Sequence, residues 1–282
     1  MKKRFAKIYL EITNLCNMNC TFCHGTRRAP KTLTKEEFSV LAEKLIPYTD
    51  YLYLHVLGEP LLHPELADIL AISASLGFRT CITTNGTLLE SRRELLLSHA
   101  KGLGKVSISL HSAEANGIPV LSYLDGVLDT AAALAESGVV TVLRLWNLGE
   151  TGENQENQAI LGRLHEVFEG EWAENRRGIT IAPSLYLEWG ERFEWPDLGA
   201  TDYGETCTCY GLRDQIAVLS DGTVVPCCLD SEGDIALGNL YEQTLGEILE
   251  SHRTIAMQEG FRKRKATEEL CRKCGYARRF LK

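Results

Sequence analysis

From residue 1 to about 186 the chain alternates short apolar runs with single amphipathic stretches, and this rhythm narrows its fold more than any other feature. Strands are expected at residues 7–13, 51–57, 79–84, 105–110, 140–147 and 179–187. Helices are expected at 34–45, 64–76, 88–99, 122–137 and 154–168. The first opens on Thr34 followed by Glu37, a pair that satisfies free amides at a helix start, and Phe38, Leu41 and Leu45 then share one face. Strands separated by single helices pair in parallel through right-handed crossovers. Six such units imply an α/β fold, a partial (β/α)6 TIM-like barrel open on one side.

The pattern changes after residue 187. Residues 188–206 read as a connector, and 207–282 as a small unit. Within it Ser220-Asp221-Gly222-Thr223 joins two apolar runs, and Asp-Gly readily takes the positive φ of a hairpin turn. Two short helices are expected near 244–251 and 255–263. No run of apolar residues is long enough for a transmembrane helix, and the basic start leads into a strand without the apolar core of a signal peptide. A cytoplasmic location is therefore expected, with no membrane partner. The net charge of -8 argues against nucleic acid as a partner.

Ten cysteines are many for such a chain. Disulfides are rare in the cytoplasm, so metal or redox chemistry is the better reading. They are also clustered: Cys16, Cys20 and Cys23 follow the first strand, and Cys207, Cys209, Cys227, Cys228, Cys271 and Cys274 fill the last unit. Cys81 stands alone in a strand and reads as packing. Three thiolates within eight residues suit a cuboidal cluster with one iron left open, and an open position is where metal chemistry happens. A zinc site completed by His24 is the alternative. In the last unit the paired cysteines suit either an iron–sulfur cluster or a zinc ribbon, and a metal would offset a thin core.

The C-x-x-x-C-x-x-C spacing, with Phe22 before the last cysteine, resembles the signature of the radical S-adenosylmethionine (SAM) superfamily. The resemblance implies that Cys16, Cys20 and Cys23 hold a 4Fe–4S cluster whose open iron chelates SAM, and that Phe22 neighbours the adenine. One electron then splits SAM into a 5′-deoxyadenosyl radical that removes a substrate hydrogen atom. Gly58-Glu59-Pro60 resembles the family's motif for the SAM amino group, a carboxylate beside an ammonium. Thr84 and Asn85, at the end of the third strand, are candidates for the ribose or carboxylate; a plain Asn-Gly turn is the alternative. Ser109 and His111 end the fourth strand. Arg144 could pair with the SAM carboxylate through its planar fork, or form a partly exposed salt bridge. In such barrels functional groups gather at the carboxyl ends of strands.

Cys209, the Gly222-to-Cys227 segment and Cys271-x-x-Cys274 resemble the Twitch form of the SPASM iron–sulfur domain, in Twitch-type radical SAM dehydrogenases of the aminoglycoside pathway. That implies Cys209, Cys227, Cys271 and Cys274 as ligands of an auxiliary 4Fe–4S cluster. Cys207 and Cys228 are then spare, although Cys207 could replace Cys209. The SPASM pattern continues past the C-x-x-C and this chain does not, so one auxiliary cluster is expected.

The resulting expectation is a radical SAM oxidoreductase that dehydrogenates a small alcohol or amino-sugar, with the auxiliary cluster accepting the second electron. Modification of a ribosomally made peptide is the alternative, and the absence of a leader-binding segment before the barrel favours the small molecule. Asp230, Glu188 and His111 are candidate proton acceptors. Trp146, Tyr186, Trp189 and Trp195 are candidates to line a substrate pocket. Residues 261–282 carry nine Lys or Arg against two Glu, about +7, a surface that could dock an acidic flavodoxin or ferredoxin as reductant.

Overall fold

The computed structural model describes residues 3–148, 154–176 and 178–280. Its scaffold is one continuous twisted sheet with helices on its outer face. In chain order the elements are β1 (Lys7–Leu10), α1 (Lys35–Glu43), β2 (Tyr51–Tyr53), α2 (Leu66–Ser75), β3 (Arg79–Thr84), α3 (Arg93–Ser98) and β4 (Leu103–Ser109). Then come α4 (His111–Glu114), α5 (Val120–Glu136), β5 (Val140–Leu148), α6 (Gln155–Val167), β6 (Ala173–Asn175), β7 (Gly178–Ala182) and β8 (Leu185–Glu191). The last unit adds β9 (Gln215–Val218), β10 (Thr223–Val225), β11 (Gly238–Asn239), α7 (Leu245–Leu249), α8 (His252–Arg262) and α9 (Glu269–Arg272).

The strand order is β11-β10-β9-β1-β2-β3-β4-β5-β8-β7-β6. Strands β1 to β5 and β8 are the six parallel strands of a partial barrel, packed on α1, α2, α3 and α5 through one core that includes Ile8, Phe38, Leu41, Ile69, Val106, Leu128 and Leu143. The Thr34 hydroxyl accepts the Glu37 amide, and the Glu37 carboxylate accepts the Thr34 amide, starting α1 as its sequence requires.

Two features differ from the expected pattern. The run 179–187 is not one strand. Pro183 interrupts it and Ser184 sits at φ 62°, so β7 turns back antiparallel to β8. A proline cannot donate to a ladder, and β8 begins only after it and extends to Glu191. The second is β9, which pairs in parallel with β1 through Lys7↔Gln215 to Leu10↔Val218. The β9–β10 hairpin forms as expected, with Gly222 at φ 85°. The carboxyl-terminal unit thus extends the barrel's own sheet.

Candidate functional site

The loop leaving β1 carries Cys16, Cys20 and Cys23 at the carboxyl end of the barrel. Burial pushes the Cys16 and Cys23 thiols up, while the amides of Met18 and Gly25 draw them back down. Neighbouring amides are aimed at the sulfurs. Asn116 Nδ2 lies 3.0 Å from Cys20 Sγ, and the Asn116 Oδ1 accepts the Asn19 amide at 3.0 Å. Asn85 Nδ2 lies 3.8 Å from Cys16 Sγ and donates to Asn17 Oδ1 at 2.9 Å. Such donors to a thiolate orient it and tune any metal it holds.

A buried ion pair anchors this loop. Glu11 is fully buried and takes the Arg28 guanidinium at 2.7 and 2.8 Å. It also accepts the Leu57 amide at 3.2 Å and the Ser220 hydroxyl at 2.9 Å. One carboxylate therefore joins β1, the cysteine loop, the segment after β2 and the β9–β10 turn. The sequence offered no sign of this, because Glu11 continues the alternation of β1 as an outward polar residue would.

The three cysteines open onto a cavity of about 860 Å³, in the upper range for small-ligand sites. Phe22 lines it, its ring 4.7 Å from His111 and its carbonyl accepting the Trp195 indole N–H at 3.0 Å. Gly58 and Glu59 line it, as do Thr84, Asn85, Ser109, His111 and Arg144. Pro60 does not; it starts the short turn Pro60–Leu62 behind Glu59. The Glu59 carboxylate accepts the Asn85 amide at 2.7 Å and the Leu61 amide at 3.0 Å. It latches the β2 and β3 loops together, and each oxygen keeps acceptor capacity for an ammonium in the cavity. Gly86 at φ 82° makes Thr84-Asn85-Gly86 a true turn as well as a cavity wall.

His111 Nδ1 faces the Arg144 carbonyl at 3.0 Å, and burial drives its pKa down to about 4, leaving a neutral imidazole at pH 7. Arg144 lies over the Trp146 ring at 3.6 Å and is in electrostatic contact with Glu188, Tyr9, Tyr276 and Cys228. None of these belongs to the cysteine loop. Glu188, Trp146, Trp189 and Trp195 line the cavity; Tyr186 and Asp230 do not. Asp230 instead caps a turn, accepting the Asp234 and Ile235 amides at 2.9 Å each. His24 faces Asp197 at 3.6 Å and does not line the cavity.

The other cysteines assemble behind this cavity. Cys207, Cys209, Cys271 and Cys274 pack around Ala266 and Ala277. A Cβ on Gly211 would lie 3.4 Å from Cys209 Sγ and 3.7 Å from Cys227 Cβ, so those two cysteines flank one glycine. Burial pushes the Cys227 thiol well up, and the charges of Cys209, Cys228, Cys274 and Cys271 push it further. Burial drives Cys207 to about 12 and Cys274 to about 11. A set of thiols this costly to ionise alone suits a centre whose positive charge would stabilise them. No three His, Cys, Asp or Glu among the described residues are grouped tightly enough for a single metal ion, whereas a cubane spreads its thiolates over separate corners. Cys228 faces the opposite way and lines the cavity with Leu229 and Tyr276.

Residues 10–157 match the model of the radical SAM superfamily, and residues 207–275 that of the SPASM iron–sulfur cluster-binding domain. The chain belongs to the radical SAM superfamily. It is accordingly an enzyme whose cofactors are SAM and 4Fe–4S clusters, one with SAM and an auxiliary one in the SPASM domain. The AdoMet-dependent heme synthase of Methanosarcina barkeri is 25% identical over 310 residues, covering 94% of this chain and 86% of that protein. A probable GTP 3′,8-cyclase of Methanocella arvoryzae is 30% identical over 129 residues, 45% of this chain. The chain spans only 41% of that cyclase's length. In fold it resembles BtrN solved with AdoMet and 2-DOIA, with a TM-score of 0.62 at 20% identity, covering 97% of this chain and 94% of BtrN. No helix among the described residues is long and apolar enough to cross a membrane.

Proposed function

We propose that this radical SAM enzyme dehydrogenates a small molecule, using the auxiliary cluster as electron acceptor. The carrying observation is that a single cavity is walled both by Cys16, Cys20 and Cys23 and by Cys228, the residue after Cys227. A substrate in it lies one residue's breadth from the auxiliary cysteines.

Cys16, Cys20 and Cys23 are the ligands assigned to the SAM-binding cluster. Cys209, Cys227, Cys271 and Cys274 are assigned to the auxiliary one, with Cys209 preferred to Cys207 because it and Cys227 flank the same glycine, Gly211. When bound, these groups supply a radical that removes a hydrogen atom and an acceptor for the electron that remains. Phe22 would flank the adenine, and Gly58, Glu59, Thr84, Asn85 and Ser109 would seat the rest of SAM. A dehydrogenation also releases a proton. Glu188, or the Nε2 of the neutral His111 imidazole, is placed in the cavity wall to take it. Reduction would come from a flavodoxin or ferredoxin. Part of the basic carboxyl-terminal charge is engaged internally, in Lys265–Glu205 at 2.9 Å and Arg272–Asp202 at 3.2 Å, and the remainder would steer such a partner.

The test is anaerobic reconstitution, reduction with dithionite, and incubation with SAM and either a panel of polyols, amino-sugars and hydroxy-acids or a panel of peptides. Turnover should yield 5′-deoxyadenosine together with a product two mass units lighter than a small-molecule substrate. Two-unit loss from a peptide with none from the small molecules would overturn the reading in favour of peptide modification.

A further inference from the structure

The interior of a β/α barrel is normally filled by branched apolar side chains. Here the floor of the cavity is charged. Lys7, Lys105 and Arg144 line it from three strands together with Glu188, while the cavity's other carboxylate, Glu59, is the one that latches the β2 and β3 loops. Lys105 is four residues below Ser109 on β4, about 13 Å along the strand, far from the cysteine loop at the rim. Lys7 Nζ donates to the Tyr9 hydroxyl at 2.8 Å, and Tyr53 packs beneath both lysines.

Among the described residues six buried side-chain nitrogens or oxygens have no hydrogen-bond partner, and three of them belong to this cavity: His55 Nδ1, Arg144 Nε and Trp146 Nε1. Arg144 Nε and Trp146 Nε1 can only donate. Burying a donor without an acceptor is costly, so the cavity asks for acceptor oxygens. Neither Lys105 nor Arg144 has a carboxylate within ion-pair distance among the described residues. Burial drives the Lys105 ammonium below its ordinary range; Glu188 draws it back up, and the cations Arg144 and Lys7 push it further down.

We infer that the floor formed by Lys105, Arg144, Lys7 and His55 is an oxyanion subsite, and that the substrate is a small molecule with a carboxylate or phosphate at the end remote from the reacting carbon. This rests on the small-molecule reading above, and it moves Arg144 from SAM to the substrate. The fork of Arg144 takes two oxygens of one group, and Lys105 supplies charge from below. The oxidised carbon is then held toward the rim.

Binding of succinate, inorganic phosphate and butane-1,4-diol to the anaerobically reconstituted holoenzyme tests this, read by tryptophan fluorescence and calorimetry in chloride-free buffer. Succinate or phosphate should bind while the diol does not, and the tighter of the two identifies the group. Lys105→Gln and Arg144→Gln should each weaken that binding about tenfold or more, and Arg144→Gln should retain SAM binding. Equal binding of diol and anions overturns the inference, as does anion binding undiminished in both variants or loss of SAM instead of anion from Arg144→Gln. Should either variant fail to fold, the wild-type comparison of succinate with the diol and with 1,4-diaminobutane decides alone. None of these measurements needs reduction or turnover. Formation of 5′-deoxyadenosine in the same preparation separately reports whether the radical chemistry holds.

Discussion

At the scale of single residues, the side chain that most tightly couples the parts of this enzyme is Glu11. Removing it leaves the Arg28 guanidinium, only 13% exposed, without its counter-charge, and breaking one side of such a pair costs about 3–5 kcal/mol. Glu11→Ala is expected to lower unfolding stability in urea by that amount, with Glu11→Gln losing less because its one carbonyl oxygen still accepts from Arg28 and from either the Leu57 or the Ser220 amide. His111 makes a pH-dependent contribution. Its folded pKa is depressed to about 4, whereas the ordinary value is 6.5. Between those values the unfolded chain binds a proton that the folded one refuses, so the contribution is intact above pH 6.5 and is lost as pH falls toward 4. His55, depressed to about 3, acts in the same direction. Relative to His111→Gln, the wild-type protein should lose up to about 3 kcal/mol across that window, measured as urea midpoints from pH 7 downward.

Elements are held by constraints of a different kind. The segment after β2 passes so close to the cysteine loop that a Cβ on Gly58 would stand 2.3 Å from the Thr13 carbonyl oxygen, and its φ of 77° disfavours any side chain. Gly58→Ala is expected to displace this loop and the Glu59 latch, weakening SAM binding at least tenfold in equilibrium dialysis and costing about 1–3 kcal/mol of stability. Along the same sheet the hairpin of β7 and β8 was readable in principle, because Pro183 marks the break; apolar continuity on either side masks it. The capping box at Thr34 and the Asp221-Gly222 turn were legible because each depends on a few adjacent residues.

For the whole molecule the question is how the segments that carry the auxiliary cysteines stay folded, since the rest of the carboxyl-terminal unit, including Ile216, Val224, Leu240 and Ile248, joins the barrel's main core. The group around those cysteines holds just Ala266 and Ala277 beside Cys207 as buried apolar residues, so an auxiliary cluster would carry much of the stability of that part of the unit. Cys209→Ala should reduce iron from about eight to about four per chain, and should lower the thermal midpoint of the holoenzyme by several degrees while the spectrum of the SAM-binding cluster persists. Unchanged iron would remove Cys209 from the ligand set.

Strand and helix periodicity were enough to determine the barrel class, and the spacing of two cysteine groups gave the cofactor chemistry through its resemblance to family signatures, because both signals are local. What only the tertiary structure decided is how the ends of the chain meet. Strand β9 joins β1 across some two hundred residues, the Ser220 turn docks on Glu11, and Cys228 enters the same cavity as Cys16. Arg144, which the sequence could place only on a strand, is brought among Lys105, Tyr9 and Glu188. Contacts of that range leave no periodic trace, since they follow from how the open sheet curves and packs and not from which residues are neighbours along the chain.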